Sequence, residues 1–295
     1  MDNVKLMPKG VSISIIFEAE SANYGEGVGN VSSLKKMSRG NGEQYTYISR
    51  QAIRYNIIEQ LGENLAEVKL KKDNKKEVIQ FAPESTIRDY PEIDFFGYMK
   101  TKKGEESATR SAKVRLSNAV SLETFKGDLD FLTNKGLADR INKNMNLAQS
   151  EIHRSYYRYT ITIDLDQIGI DEQDNIEIDN SEKARRVCKL LDTISVLYRD
   201  IRGRREDLKP LFAIGGVYDI KNPVFQNALE VKNNKIQISL IEGVMYDFIK
   251  KDTICGLVEG KFSNDKEIKE KLKAVSMPEF FSKIKEKVRE YYEGC

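Results

Sequence analysis

The chain contains no tryptophan, a single histidine and three cysteines. Each shortage removes a class of chemistry. With one imidazole, His153, any Ser-His-Asp or Cys-His site would have to run through that residue, and no nucleophile-elbow motif accompanies it. Cys188, Cys255 and Cys295 are far apart and odd in number. This argues against a disulfide framework and against a zinc site, and it makes a reducing, cytoplasmic home the default. No apolar run approaches the length of a membrane span, and the N-terminus lacks the shape of a signal peptide. Charge of one sign is not in excess either. Forty-eight Lys and Arg face 46 Asp and Glu, a net charge of +2, so the total does not announce a nucleic-acid binder.

What is present is charge in blocks. From Tyr159 to Glu182 there are eight acidic residues and no Lys or Arg; from Lys183 to Pro210 there are nine basic residues against four acidic. Alternation of this kind points to separate surfaces. Length is sufficient for one large core.

The β-branched run VSISIIFE (11–18) predicts a strand, and SANYGEGVGN (21–30) a Gly and Asn loop. That loop lacks the Gly-Lys-Ser/Thr ending of a phosphate-binding loop. A helix is predicted over 46–61, a hairpin over 67–81 with a Lys-Asp-Asn-Lys tip, and mixed structure over 84–120. Residues 151–169 read as the longest strand. Residues 181–207 read as the clearest helix, with Ser181 as N-cap. Another strand follows at 211–220, and a hairpin at 228–240 turning at Asn233 and Asn234. Helical stretches are predicted at 242–251, 265–273 and 278–293, with a short strand near 253–258. The order strand, helix, strand, strand, helix, strand is the ferredoxin-like, RRM-type arrangement. The expectation is therefore an α+β fold: one domain over 1–295, with an insertion over about 62–150. An ordinary α+β domain is the alternative.

Three clusters attract attention, and some single residues beside them. Arg50, Gln51 and Arg54 share about a third of the helix circumference at 100° per residue. Guanidiniums at a helix start suit anions, and a solvated face is the competing reading. Lys113, Arg115 and Ser117 share one strand face at a period of two, with Arg110 and Asn118 beside them. RDIRGRRE (199–206) places four arginines at a helix C-terminus, where cations complement the macrodipole. His153 opens the long strand and reads as a hydrogen-bonding residue without metal-binding companions. Tyr156, Tyr157 and Tyr159 alternate sides of that strand, so at least one belongs to the core. Asp164 and Asp166 lie two apart without a third ligand and read as a solvated strand end. No metal or cofactor is implied.

Several of these stretches also occur together elsewhere. EAESANYGEGVGNVSSLKKMSRGNGEQYTYISRQAIRYNI resembles the opening of the DevR family of CRISPR-associated proteins. DFFGYM, RSAKVRLSNAVSLETFKGDLDFL, EIHRSYYRYTITIDLDQIG and the long helix before KPLFAIGGVYD resemble that family in the same order. The resemblance covers most of the chain to about residue 220. It implies the backbone subunit of a type I surveillance complex (Cascade), most like subtype I-B, with an RRM-like palm, inserted fingers and a thumb hairpin.

The implied role is non-catalytic: copies bind crRNA head to tail and support recognition of the target DNA strand. Other Cascade subunits and a recruited helicase-nuclease are the further implied partners. Asn23, Lys35, Lys36, Ser49, Arg50, Gln51 and Arg54 are carried over as guide contacts. Arg110, Lys113, Arg115 and His153 are added as RNA-facing residues, and the hairpin at about 221–241 as the thumb. Type III relatives cut target RNA with a loop aspartate; the corresponding loop here offers Glu20 and Glu26 instead. Two other classes remain: a nucleic-acid-binding autoregulator, distinguished by preference for a duplex DNA sequence, and an RNA-processing nuclease, distinguished by cleavage that depends on His153.

Overall fold

A computed structural model describes residues 8–73, 76–101 and 107–294. The tip of the 67–81 hairpin (Asn74 and Lys75), residues 102–106 of the polar loop and Cys295 lie outside the described residues.

Along the chain come β1 (Gly10–Ala19), a hairpin of β2 (Tyr24–Val28) and β3 (Val31–Leu34), then β4 (Lys36–Ser38), β5 (Gln44–Ile48) and α1 (Arg50–Leu61). A hairpin of β6 (Val68–Asp73) and β7 (Lys76–Phe81) follows, then α2 (Pro91–Phe96), β8 (Tyr98–Thr101), β9 (Ser107–Arg110), β10 (Val114–Leu116) and β11 (Ala119–Ser121). An arm is built from β12 (Asp128–Thr133), α3 (Lys135–Ala138) and β13 (Leu147–Ile152). Next are β14 (Ser155–Asp164), the short pair β15 (Ile170–Asp171) and β16 (Ile176–Glu177), and α4 (Asn180–Ser195). A hairpin of β17 (Tyr198–Ile201) and β18 (Arg204–Asp207) leads to β19 (Phe212–Tyr218), then β20 (Val231–Lys232) and β21 (Lys235–Ile236). The chain closes with α5 (Ile238–Glu242), α6 (Asp247–Lys250), β22 (Thr253–Leu257), α7 (Asp265–Leu272), β23 (Val275–Ser276) and α8 (Met277–Glu293).

The main sheet runs β23-β22-β19-β1-β14-β11-β5-β4, with β10 also paired to β14. It is antiparallel except for β22 against β23. β1 lies at its centre because both of its faces are covered. Val11, Ile13, Ile15 and Phe17 point to one core cluster, and Ile16 to the other. Ser12 and Ser14 share that second side; Ser14 meets the Thr160 hydroxyl at 2.7 Å, which satisfies a buried polar pair. Over the first face lie Ile53, Ile57 and Leu61 of α1, Leu190, Leu191 and Ile194 of α4, and Phe280, Ile284 and Val288 of α8. Over the second lie Phe225, Leu229, Val231, Ile236, Ile249 and Phe262 from the stretch after β19. Each such side chain contributes roughly 1.5–3 kcal/mol of apolar burial. Gly256 of β22 permits the tight seating of α8, since a β-carbon there would sit 2.7 Å from the Phe280 side chain.

A buried ionic centre joins α2 to α4. Asp94 accepts hydrogen bonds from Arg110 (2.7 Å), Arg186 (3.2 Å) and the Gly169 amide (2.9 Å). Arg110 also donates to the carbonyls of Ile170 and Gln167, so its guanidinium is consumed inside the protein.

The structure corrects several sequence expectations. The 21–30 loop is largely a hairpin, turning at Gly29 with φ of +60°. Tyr45, Thr46 and Tyr47 belong to β5 rather than to the helix, because aromatic and β-branched residues in alternation fit a pleat better. The 151–169 strand is broken at His153 and Arg154, which divide β13 from β14 in different sheets. Residues 113–120 are split into β10 and β11, so Lys113, Arg115 and Ser117 do not form one continuous face. The 181–207 helix ends at Ser195 and its N-cap is Asp179. The four arginines instead sit on a hairpin whose turn residues, Arg202 and Gly203, both have positive φ (47° and 78°), as a two-residue primed turn requires. The helix expected at 242–251 is the two short pieces α5 and α6.

Candidate nucleic-acid interface

The start of α1 is assembled from three chain segments. The Asn23 amide donates to the Tyr47 carbonyl (3.2 Å), its carbonyl accepts from the Lys35 amide (2.6 Å), and the Tyr47 amide donates to the Lys35 carbonyl (3.1 Å). Asn23 Nδ2 donates to Ser49 Oγ at 3.2 Å. Ser49, extended at φ −65° and ψ 147°, accepts from the Ala52 amide and is the N-cap. Asn118 Oδ1 accepts from the Arg50 amide at 2.9 Å. Two of the leading N–H groups are thus already occupied, so the outward-facing donors here are side chains rather than bare backbone.

Those side chains are available. Lys35, Arg50, Gln51 and Arg54 are exposed. The first turn of α1 holds no acidic residue. Among the described residues, Lys35, Arg50 and Arg54 form no ion pair, whereas Arg110 and Arg115 do. The Arg54 guanidinium rests 5.5 Å from the Phe96 ring centre, which orients it while leaving its donors free. The structure therefore brings together Asn23, Lys35, Ser49, Arg50, Gln51 and Arg54.

The other expected residues are placed differently. Lys36 is half-buried, pairs with Glu151 at 2.8 Å and lies 4.2 Å over the Phe125 ring. Glu151 also accepts from the Leu34 amide (2.7 Å), so Lys36 helps fasten β3 and β4 to the arm. Arg110 is buried on Asp94, which removes it from the exposed group. Lys113 is half-buried beside Ser111, and burial with Arg110 nearby holds its pKa down. Arg115 pairs with Asp164 at 2.7 Å and keeps about half its surface exposed. Asp166 is spent on Lys221, so the two aspartates do not act as a pair.

His153 is buried. Its Nδ1 meets the Thr46 hydroxyl at 2.7 Å, and that hydroxyl meets Tyr157 Oη at 2.8 Å. The Phe125 ring packs edge-on against the imidazole. Burial holds its pKa below the ordinary value. This is a polar rivet between β5 and the break before β14. Tyr157 and Tyr159 are core; Tyr156, half-buried, packs on Phe262 and donates to Asn234. Glu20 pairs with Arg204 at 2.9 Å; nothing is described of the Glu26 side chain. The hairpin at 228–240 is short and buries Val231 and Ile236, so it does not project. One residue of this assembly lay outside the expected set: Asn118 stood in a noted cluster, but only the fold shows that it accepts from the Arg50 amide.

No helix of the described residues is long and apolar enough to cross a membrane. A family model described as CRISPR-associated negative auto-regulator DevR/Csa2 matches residues 11–238. Among solved structures, a chain from a CRISPR RNA-guided surveillance complex, pre-nicking, superposes with a TM-score of 0.61 at 13% identity, covering 96% of this chain and all of that one. A chain from a second CRISPR RNA-guided surveillance complex gives 0.54 at 17% identity, covering 94% of this chain and 99% of the other. No curated protein sequence matches.

Proposed function

The chain belongs to the CRISPR-associated DevR/Csa2 family, and from that premise we propose that it is a non-catalytic, RNA-binding backbone subunit of a type I surveillance complex. The observation that carries the reading is the uncompensated group at the start of α1: Lys35, Arg50, Gln51 and Arg54, exposed, with no acid in the first turn. Cations without internal partners are suited to a backbone of phosphates, which supplies affinity without sequence information. The fold supports a palm of the RRM kind. α1 falls between β1 and β10, α4 between β14 and β19, and the strands run β19-β1-β14-β10. Within the insertion expected over about 62–150, we assign the finger role to the stretch from β6 to β9.

Assembly along the guide requires two different surfaces on each copy, a heterologous contact that propagates. The arm of β12, α3 and β13 suits one of them. It exposes Leu129, Phe131, Leu132, Leu137, Ile141 and Met145, apolar side chains grouped on one arm as at an interaction surface. We therefore assign the thumb role to this arm rather than to the packed 228–240 hairpin.

The test is binding of single-stranded RNA of varied sequence and length. Affinity should change little with sequence and fall steeply with salt, and light scattering should show oligomers that grow with RNA length. A fixed two-fold dimer indifferent to RNA would overturn the reading. The family description itself favours a second reading, a negative autoregulator. That reading requires tight, sequence-selective binding to duplex DNA from the chain's own operon.

A further inference from the structure

The β17–β18 hairpin stands over the segment that precedes the α1 site. Its base is fixed by a buried pair. Arg199 Nε donates to Glu206 Oε2 at 2.7 Å, and the other Glu206 oxygen accepts from the amides of Glu20 (2.7 Å) and Ser21 (3.1 Å). Arg204 reinforces this attachment through Glu20 (2.9 Å) and the Ser21 hydroxyl (2.5 Å). The hairpin is therefore locked to the end of β1, immediately before Asn23 and Tyr24. At its tip, Arg202 lies with its guanidinium 3.9 Å from the Tyr24 ring centre. Tyr24 is itself held, donating to the Glu151 carbonyl at 3.2 Å. Arg202 is exposed and forms no ion pair among the described residues, unlike its neighbours Arg204 and Arg205.

We propose that Arg202, poised on Tyr24, is a further contact for single-stranded RNA, extending the strand's path beyond the start of α1. This rests on the RNA-binding reading above. A guanidinium held 3.9 Å over a ring has donors to offer a phosphate, and the pair together presents a surface on which an unpaired base can stack. The turn explains why the residue sits at a positive φ: the hairpin needs that conformation, and the long side chain is thereby directed back over β2. Lys35, whose side chain passes close to Gly25, directly follows Leu34, the β3 residue that pairs with Tyr24. Tyr24 thus connects Arg202 to the α1 group through a single residue, Asn23.

The experiment measures anisotropy of a labelled 20-nucleotide uridine homopolymer with the full chain and four variants. Arg202→Asn is the neutral replacement, since asparagine tolerates the left-handed backbone. It should bind about tenfold more weakly, with a salt slope shallower by about 0.7, one phosphate's worth on a single strand. Arg202→Lys should restore the slope but only part of the affinity, because an ammonium lacks the planar face. Arg205→Ala, whose guanidinium is paired with Asp200, should match wild type. Arg54→Ala reports on the underlying reading. If Arg54→Ala weakens binding and Arg202→Asn does not, this inference is wrong and the reading stands. If neither weakens it, the reading itself fails. Equal losses from Arg205→Ala and Arg202→Asn would reduce the effect to general charge and overturn the specific contact.

Discussion

Two places in this protein gather arginines, and they use them in opposite ways. At the Asp94 centre, Arg110 and Arg186 are buried and every strong contact is internal. At the start of α1, Arg50 and Arg54 face solvent with no carboxylate to answer them. The first arrangement joins parts of the fold. The second leaves its charge available to something outside. Residue type is identical; what differs is whether a partner was built in, and so the two regions should fail differently when broken.

The largest effect should come from Asp94→Ala. It takes the carboxylate from buried Arg110, while Arg186 keeps Glu182, and this costs about 3–5 kcal/mol. Urea unfolding should show that loss, while the protein that stays folded binds RNA as wild type does. A loss under about 1 kcal/mol would erase the contrast. Arg54→Ala should do the reverse. Its urea midpoint should not move, and affinity for single-stranded RNA should drop ten- to a hundredfold, the equivalent of about 1.5–3 kcal/mol for a charge-assisted hydrogen bond.

His153 tests the buried side of the comparison by pH. Its folded pKa lies below the unfolded value of 6.5, so the unfolded chain takes up a proton first as pH falls. Its contribution to stability is therefore complete above about pH 6.5 and is lost on acidification toward the folded pKa. His153→Gln should flatten that part of the stability–pH curve; an unchanged curve would remove the histidine from the account. Arg115 belongs to neither extreme, being paired yet half exposed. Arg115→Ala should cost only about 0.2–1 kcal/mol of stability and less than threefold in RNA affinity, measured in the same two assays.

Legibility in the sequence followed the range of the forces involved. β1, β19 and α8 announced themselves because apolar periodicity is local. The α1 site was readable to the extent that its members are near in sequence: Ser49, Arg50, Gln51 and Arg54. Family resemblance brought in Asn23 and Lys35, whose link to Tyr47 is a backbone pairing that no spacing reveals. Arg110 misled because its partner, Asp94, is an ordinary acid sixteen residues away on a different element. The break at His153 was hidden because β13 and β14 each alternate well, and only their sheets differ. The β17–β18 hairpin was read as helix because Leu197 and Ile201 continue the period of α4; the Arg-Gly turn was the overlooked signal.

The position of β1 has a consequence for how the chain comes into being. This strand is made well before its two partners, β14 and β19, which lie far downstream. β19 emerges about 200 residues later, which at 5–20 residues per second is about 10–40 s of synthesis. Until β14 is made neither edge of this apolar strand has its partner, and until β19 is made one edge stays open. Its birth on the ribosome is thus a period of sustained exposure, during which native contacts do not yet keep VSISIIF from the wrong neighbour.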